Sequence, residues 1–549
     1  MVTVSTLDAP MVAPGIHSDA SSWTSAGTSS FPGFGEDAPL DLSGLTDAGL
    51  QAVTSRLIDK SFDAFAETAA AVKNCARPVR LTGRSRTFER SQVSELRAAL
   101  YKTYGPGQVE LGDHVGSFSS DEAPLGVLYR PCGNRRADIC PSCSRTYARD
   151  TFAMIDAGLS GGKTVSATVA NNPLLFATLT APSFGSHVHR HDKNGGRCRP
   201  RGRDKGARCP HGRPLSCMAR HDDTDPLVGA PFCSECHDWT TAVVWQWWAP
   251  ELWRRTTIEL KRALAKRLDV PESRLKSVAS VQFVKVAEYQ TRGLVHFHAL
   301  LRLDGNDGPG SPAPLDGIDL AQLLAETIAK VTFEAPPVDH TGVTRLLSWG
   351  KQVDIRVVRD GDRTDDPGAT LTPGQVAGYL AKYASKDVSS IRLEDTTRHH
   401  LARLTSTCHD IFETSDALYG GQDNPYELIK KWAHMLGFRG HFSTKSRRYS
   451  ITLGQLRRAR VRYQQLVADA RRNGESLGEI STAEMEERLL ADDEEETTLV
   501  IGEWAYQGTG WTNAGDEALA LAAAARAREY DQWRAQTKPR NPRDERRSD

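Results

Sequence analysis

The chain has 549 residues, with 69 Lys or Arg against 69 Asp or Glu, and so carries no formal net charge. Hydrophobic residues make up 39% and the mean hydropathy is −0.46, which fits a soluble globular protein of more than one compact unit and excludes whole-protein electrostatic attraction to nucleic acid. No apolar run nears the roughly 20 residues needed to span a membrane, and no basic segment and apolar core open the chain, so a cytoplasmic location is expected.

Residues 1–44 are rich in Ser, Gly, Pro, Ala and Asp and read as a disordered segment. Residues 45–130 read as a helical region of unknown role, with helical patterns at 50–72 and 91–104. Cysteines dominate the next part. Cys132, Cys140, Cys143, Cys198, Cys209, Cys217, Cys233 and Cys236 fall between 131 and 239, while Cys75 and Cys408 read as ordinary isolated cysteines. Cys140-Pro-Ser-Cys143 and Cys233-Ser-Glu-Cys236 are C-x-x-C knuckles of the kind that hold structural zinc. Without a secretory signal a disulfide framework is not expected. The spacing suits one or two tetrahedral sites, and His211 could replace one thiolate; the grouping stays open. Arg199, Arg201, Arg203, Lys205 and Arg208 lie between the knuckles, and a loose basic loop and phosphate contact are equally good readings of them.

The first strand of a catalytic core is expected at 176–182, interleaved with the cysteines, and the core itself at 240–400. Residues 239–268 read as one or two helices divided near Pro250. Residues 280–289 and 294–303 are rich in Val, Leu and Phe and flank Gln290-Thr-Arg-Gly293, the pattern of a β-hairpin. Side chains alternate across a strand, so His296 and His298 point the same way, about 7 Å apart, and can grip one metal ion. Glu288 on the partner strand could add an oxygen ligand if the register allows. A helix near 320–331 and a strand at 353–358 follow. Residues 375–388 have helical spacing behind Thr372-Pro373, a cap with proline in the first turn. Tyr379 and Tyr383 share a face of that helix, and Lys382 and Lys386 lie on a neighbouring face, suited to holding phosphates. His-x-His on a strand together with Tyr-x-x-x-Tyr on a helix suggests an enzyme that cuts single-stranded DNA with a tyrosine nucleophile and a divalent ion, Mg²⁺ or Mn²⁺.

Residues 401–475 read as a basic DNA-binding region. From Lys430 to Arg472 there are twelve Lys or Arg and one acidic residue. Within it, 437–449 mixes aromatics with Lys445, Arg447 and Arg448, suited to stacking on bases and neutralising phosphates. Residues 476–549 read as an acidic linker and a C-terminal helical unit. Two patterns mislead. His187-Val-His189 lacks the strand context of His296, so a minor zinc or loop role is expected of it rather than the catalytic one. Gly158-Leu-Ser-Gly-Gly-Lys163-Thr164 has a helix before it and a strand expected at 165–169 after it, the reverse of a Walker A loop, so no nucleotide cofactor is expected and a separate helicase would open the duplex.

Three motifs carry a resemblance: Phe176-Ala-Thr-Leu-Thr180, Val295-His-Phe-His298 and Gly378-Tyr-Leu-Ala-Lys-Tyr-Ala-Ser-Lys386. With them the chain resembles the HUH-superfamily rolling-circle replication initiators, and more narrowly the RepSA-like initiators of actinobacterial plasmids and integrative elements. The resemblance covers about 132–450 and extends into the C-terminal part. It implies an α+β fold, an HUH-type antiparallel sheet with helices, here carrying a cysteine-rich zinc-binding insertion and a helical C-terminal region. It implies nicking at an origin, joining to the 5′ phosphate through tyrosine, and resealing. One-tyrosine relatives have an acidic residue at the first tyrosine position, so Tyr383 is implied as the nucleophile and Tyr379 as a second or alternate one. The implied partners are unwound origin DNA and a host helicase and polymerase. A conjugative relaxase or a transposase would use the same chemistry, and a non-catalytic zinc-dependent DNA-binding regulator is the reading without it.

Overall fold

The computed structural model describes residues 45–89, 116–191, 196–200, 206–359, 373–384, 391, 398–421, 423–474, 482–490 and 498–537. The expected helix at 91–104, the cap at Thr372, the arginines at 201 and 203 with Lys205, and Lys386 lie outside them.

Helices α1 (Asp47–Ile58) and α2 (Phe62–Ala71) open the described chain, the first capped by the Thr46 hydroxyl, which accepts the Gly49 N–H. Strands β1 (Val79–Glu89), β2 (Gly116–Ser119) and β3 (Leu128–Arg130) follow, then α3 (Pro141–Ser160). The strand expected at 165–169 is instead a 3-10 helix, Ala167–Asn171, and β4 runs Leu174–Leu179. Of the one or two helices expected here, the structure has one: α4 (Trp239–Arg267) is continuous through Pro250. Proline removes one hydrogen bond, but Trp245, Trp247, Leu252 and Trp253 on either side of it are all buried, and that packing holds the helix together.

The chain continues through β5 (Ser280–Tyr289), β6 (Val295–Asp304), α5 (Gly317–Lys330), β7 (Thr332–Ala335), β8 (Arg345–Ser348) and β9 (Val353–Arg359). Helix α6 (Pro373–Ala384) carries the tyrosines, and α7 (His399–Tyr419) ends at Gly420 in the left-handed region (φ 60°). Residues 426–436 form a set of turns and a short 3-10 helix, Lys430–Met435. After β10 (Ser443–Lys445) come α8 (Leu453–Asn473), α9 (Thr482–Leu490), β11 (Thr498–Thr509) and α10 (Ala514–Thr537). The protein is thus α+β, with antiparallel sheets. Among the described residues no helix is long and apolar enough to cross a membrane.

The chain divides into two compact units, one made of 1–147 and 457–549, the other of 148–456. In the first, β11 and β2 flank β1, and β3 also pairs with β1, so segments 45–130 and 476–549 share one sheet. Its core gathers Val53, Phe65, Val72, Cys75, Trp511 and Leu519.

The second unit is built on a five-stranded antiparallel sheet in the order β10-β5-β6-β4-β9. Alternation gives β6 two faces of different character. Val295, Phe297, Ala299, Leu301 and Leu303 are buried in one core with Trp247, Leu252 and Leu260 of α4 and Leu320 and Leu324 of α5. His296, His298, Leu300, Arg302 and Asp304 point the other way. There Arg302 is fully buried, paired with Asp304 at 2.8 and 2.9 Å and bonded to the carbonyls of Gly158 and Tyr449. One end of this second face is thereby closed, and the histidines lie at its other end.

Candidate active site and metal centres

The hairpin register sets the first site. Glu288 lies directly opposite His296, and Thr178 of β4 directly opposite His298. Glu288 Oε2 is 2.7 Å from His296 Nε2 and 3.0 Å from His298 Nε2. The three donor atoms all lie within 4.8 Å of one another. Two imidazoles and a carboxylate are a donor set for a divalent ion that leaves coordination positions open. The Thr178 hydroxyl meets His298 Nδ1 at 3.1 Å, which directs Nε2 into the cluster. Burial pushes the His298 imidazole below its usual range and favours the neutral, ligating form. Burial alone would raise the Glu288 carboxyl, but its hydrogen bonds to His296 and His298 outweigh this and leave it lowered, hence charged.

Helix α6 supplies the phenol. Val376, Ala377, Leu380, Ala381 and Ala384 are buried, which turns Tyr379 and Lys382 outward. The Tyr379 hydroxyl is 3.4 Å from His298 Nε2, and its ring stands edge-on to His298 (5.2 Å) and Phe176 (5.9 Å). Tyr383 is one turn further along the same helix; its side chain lies outside the described residues. Lys382 is exposed.

The hairpin turn is held from several sides. Gly293 adopts φ 82°, and a Cβ there would lie 2.5 Å from Leu404. The buried Gln246 amide of α4 donates to the Gly293 carbonyl and accepts the Val295 N–H, both at 2.9 Å. Arg292 donates to the carbonyls of Pro182 and Ala181, each at 2.7 Å.

Nine of the ten cysteines, all but Cys408, fall into three groups of ligand atoms. The first is Cys75, Cys132, Cys140 and Cys143, so Cys75 is not the isolated cysteine expected. It lies 57 residues ahead of the nearest partner, too far for spacing to reveal. The second is His189, Cys198, Cys217 and His221. His221 Nε2 is 3.3 Å from both His189 Nδ1 and Cys217 Sγ, and its Nδ1 is 2.6 Å from Asp225 Oδ2. His189, for which a zinc or loop role was expected, therefore sits among candidate metal ligands, whereas His221 was missed; the Cys217-x-x-x-His221 spacing was the overlooked signal. The third is Cys209, His211, Cys233 and Cys236, with His211 Nδ1 3.2 Å from Cys236 Sγ. Each group could hold a metal such as zinc, and the paired donor distances suit a small tetrahedral ion. The second group reaches the hairpin. Arg398 donates to the carbonyls of Asp225, Val228 and Asp223, and His400, two residues on, meets the Thr291 carbonyl at 2.8 Å.

The basic segment differs from its expected use. Phe438, Phe442 and Tyr449 are buried in the second unit, because β10 adds to the sheet edge and draws them in, so they are not free to stack on bases. The Lys445 ammonium bonds backbone carbonyls, Ser450 O at 2.7 Å among them, and burial lowers its pKa. Arg447 and Arg448 are exposed.

The family model described as "Replication initiator protein, pSAM2" (RepSA) matches residues 61–525. A replication initiator protein of Streptomyces ambofaciens is 37% identical over 434 residues, covering 75% of this chain and 83% of that protein. No solved structure matches the chain.

Proposed function

The chain belongs to the RepSA family of replication initiators, and from that premise we propose that it is an HUH-type, metal-dependent endonuclease of rolling-circle replication. It nicks one strand of its origin, joins the 5′ phosphate through tyrosine, and later reseals the strand. The observation that carries the reading is the convergence of Glu288, His296 and His298 beneath the Tyr379 hydroxyl.

Glu288, His296 and His298 would hold the ion, Mg²⁺ or Mn²⁺. A divalent cation bound there supplies Lewis-acid polarisation of the scissile phosphate. A phenol with an ordinary pKa of about 10 is a weak nucleophile and needs that help. The phenolic oxygen of Tyr379 or Tyr383 attacks phosphorus. The bond to the 3′ oxygen breaks, that oxygen takes a proton, the phenol loses one, and a phosphotyrosine diester replaces the DNA diester. One diester is exchanged for another, so the reverse reaction reseals the strand without a nucleotide cofactor. The resemblance implies Tyr383 as the nucleophile; the 3.4 Å approach of Tyr379 to His298 supports a direct part for Tyr379 as well, and we assign attack to the pair. Lys382, Lys386, Arg447 and Arg448 contact phosphates, while Lys445 braces the loop that carries the two arginines. The groups at His189 and at Cys209 hold structural zinc. A host helicase and polymerase act on the opened origin and the free 3′ hydroxyl.

A relaxase or transposase would use the same residues, and family membership favours replication. A labelled single-stranded origin oligonucleotide with Mg²⁺ or Mn²⁺ tests the proposal. Cleavage with protein joined to the 5′ side is expected. Binding without cleavage under any divalent ion would leave a non-catalytic regulator instead.

A further inference from the structure

We propose that Cys75, Cys132, Cys140 and Cys143 form a four-thiolate zinc centre that staples the first unit together, in addition to the two Cys/His groups of the second unit.

The sulfur geometry carries this. Cys75 Sγ lies 3.7 Å from Cys140 Sγ and 3.6 Å from Cys143 Sγ. A disulfide needs about 2.05 Å. A tetrahedron with zinc–sulfur bonds of about 2.3 Å has edges of about 3.8 Å. All four sulfurs lie within 4.8 Å of one another and none is in a disulfide, so they are spaced as ligands of one small ion and not as bonded pairs.

The backbone around them is arranged as in a metal knuckle. The Cys132 N–H donates to Cys75 Sγ at 3.3 Å, and the Asn134 N–H donates to Cys132 Sγ at 3.4 Å. Such bonds favour thiolate over thiol. Cys140 and Cys143 stand at the start of α3, where helix N-terminal amides favour negative charge. Cys75 is delivered by a tight turn in which Lys73 (φ 55°) and Asn74 (φ 54°) are both left-handed. Two successive non-glycine residues in that region are uncommon and persist where the surroundings fix them. A ligand at the next position supplies such a constraint.

The turn links α2 to β1, while the other three cysteines follow β3. The C-terminal segment joins the same cluster: Trp511 donates to the Cys75 carbonyl at 2.9 Å and stacks on Tyr129 at 5.1 Å. One ion would thus fix the α2–β1 turn and the α3 start, and through Trp511 the segment after β11. On binding, each thiol gives its proton to solvent, so the centre is filled at neutral pH and emptied by acid.

The test is a metal count on the full chain, purified without added metal and carrying His296→Ala and His298→Ala so that the hairpin site holds nothing. Elemental mass spectrometry should find one zinc fewer in Cys75→Ala than in its parent, and separately one fewer in Cys233→Ser. Cys75→His, which keeps a donor atom, should restore the lost zinc and the melting temperature, which a purely packing role for the thiol would not. Cobalt-loaded parent protein should show intense sulfur-to-metal absorption that falls in Cys75→His. Zinc unchanged in Cys75→Ala and cobalt absorption unchanged in Cys75→His would overturn the centre. A deficit at Cys233 alone would overturn it while leaving the other centres standing. None of these readings depends on nicking.

Discussion

The hydroxyl of Thr178 meets Nδ1 of His298 from the neighbouring strand, at 3.1 Å. Replacing it should therefore change the metal site without removing a ligand. Thr178→Val keeps the shape and loses the hydrogen bond. Outer partners of this kind are worth about 10–100-fold in metal affinity. The Mn²⁺ concentration for half-maximal nicking should rise by about that factor, and Thr178→Ser should bring it back. An unchanged metal titration in Thr178→Val would refute the link.

His296→Ala and His298→Ala should each lower nicking by about a hundredfold or more, since Lewis-acid assistance contributes several kcal/mol and about 1.4 kcal/mol is tenfold. Duplex origin binding should be nearly unchanged, because the imidazoles hold an ion and do not read bases. Gel-shift and nicking assays on the same preparations separate the two. Full metal-dependent nicking by the double variant would sink the assignment.

Tyr379→Phe and Tyr383→Phe each remove one attacking oxygen and keep the ring. With attack shared, each single variant should retain part of the covalent adduct and the double variant none. Peptide mapping of the adduct should find both tyrosines in the parent. Complete loss in Tyr383→Phe alone would restrict first-strand attack to that residue. An adduct on neither would remove the mechanism.

Gln246 satisfies two backbone groups at the hairpin turn from a fully buried position. Gln246→Ala leaves a carbonyl and an N–H without that partner, at about 1–3 kcal/mol for each buried group. The melting temperature of the second unit should drop by several degrees. An unchanged melting curve would show that the turn does not depend on α4.

What could be read from the sequence was local. Residues 280–303 declare a hairpin by composition, and alternation alone places His296 and His298 on one face. That Glu288 faces His296 and Thr178 faces His298 is a matter of register and of a strand about 120 residues away, which no local pattern fixes. The metal groups were obscured because their ligands interleave: Cys209 and His211 fall between Cys198 and Cys217 yet belong with Cys233 and Cys236. The continuity of α4 through Pro250 depends on tertiary burial of its tryptophans, which propensity does not include. The long β11 was read only as part of a small terminal unit, since its partner β1 stands at the other end of the chain.

That last pairing sets an order of assembly during synthesis. About 400 residues separate the end of β1 from the start of β11. At about 5–20 residues per second, β1 waits roughly 20–80 s on the ribosome for its partner strand. The second unit, contiguous in sequence, has emerged by then. A nascent chain stopped short of Thr498 would carry a complete hairpin and tyrosine helix behind an unfinished first sheet, and its exposed β1 edge would be open to chaperones and proteases. Only synthesis through β11 closes that edge, so the soundness of the first unit depends on translation passing Thr509.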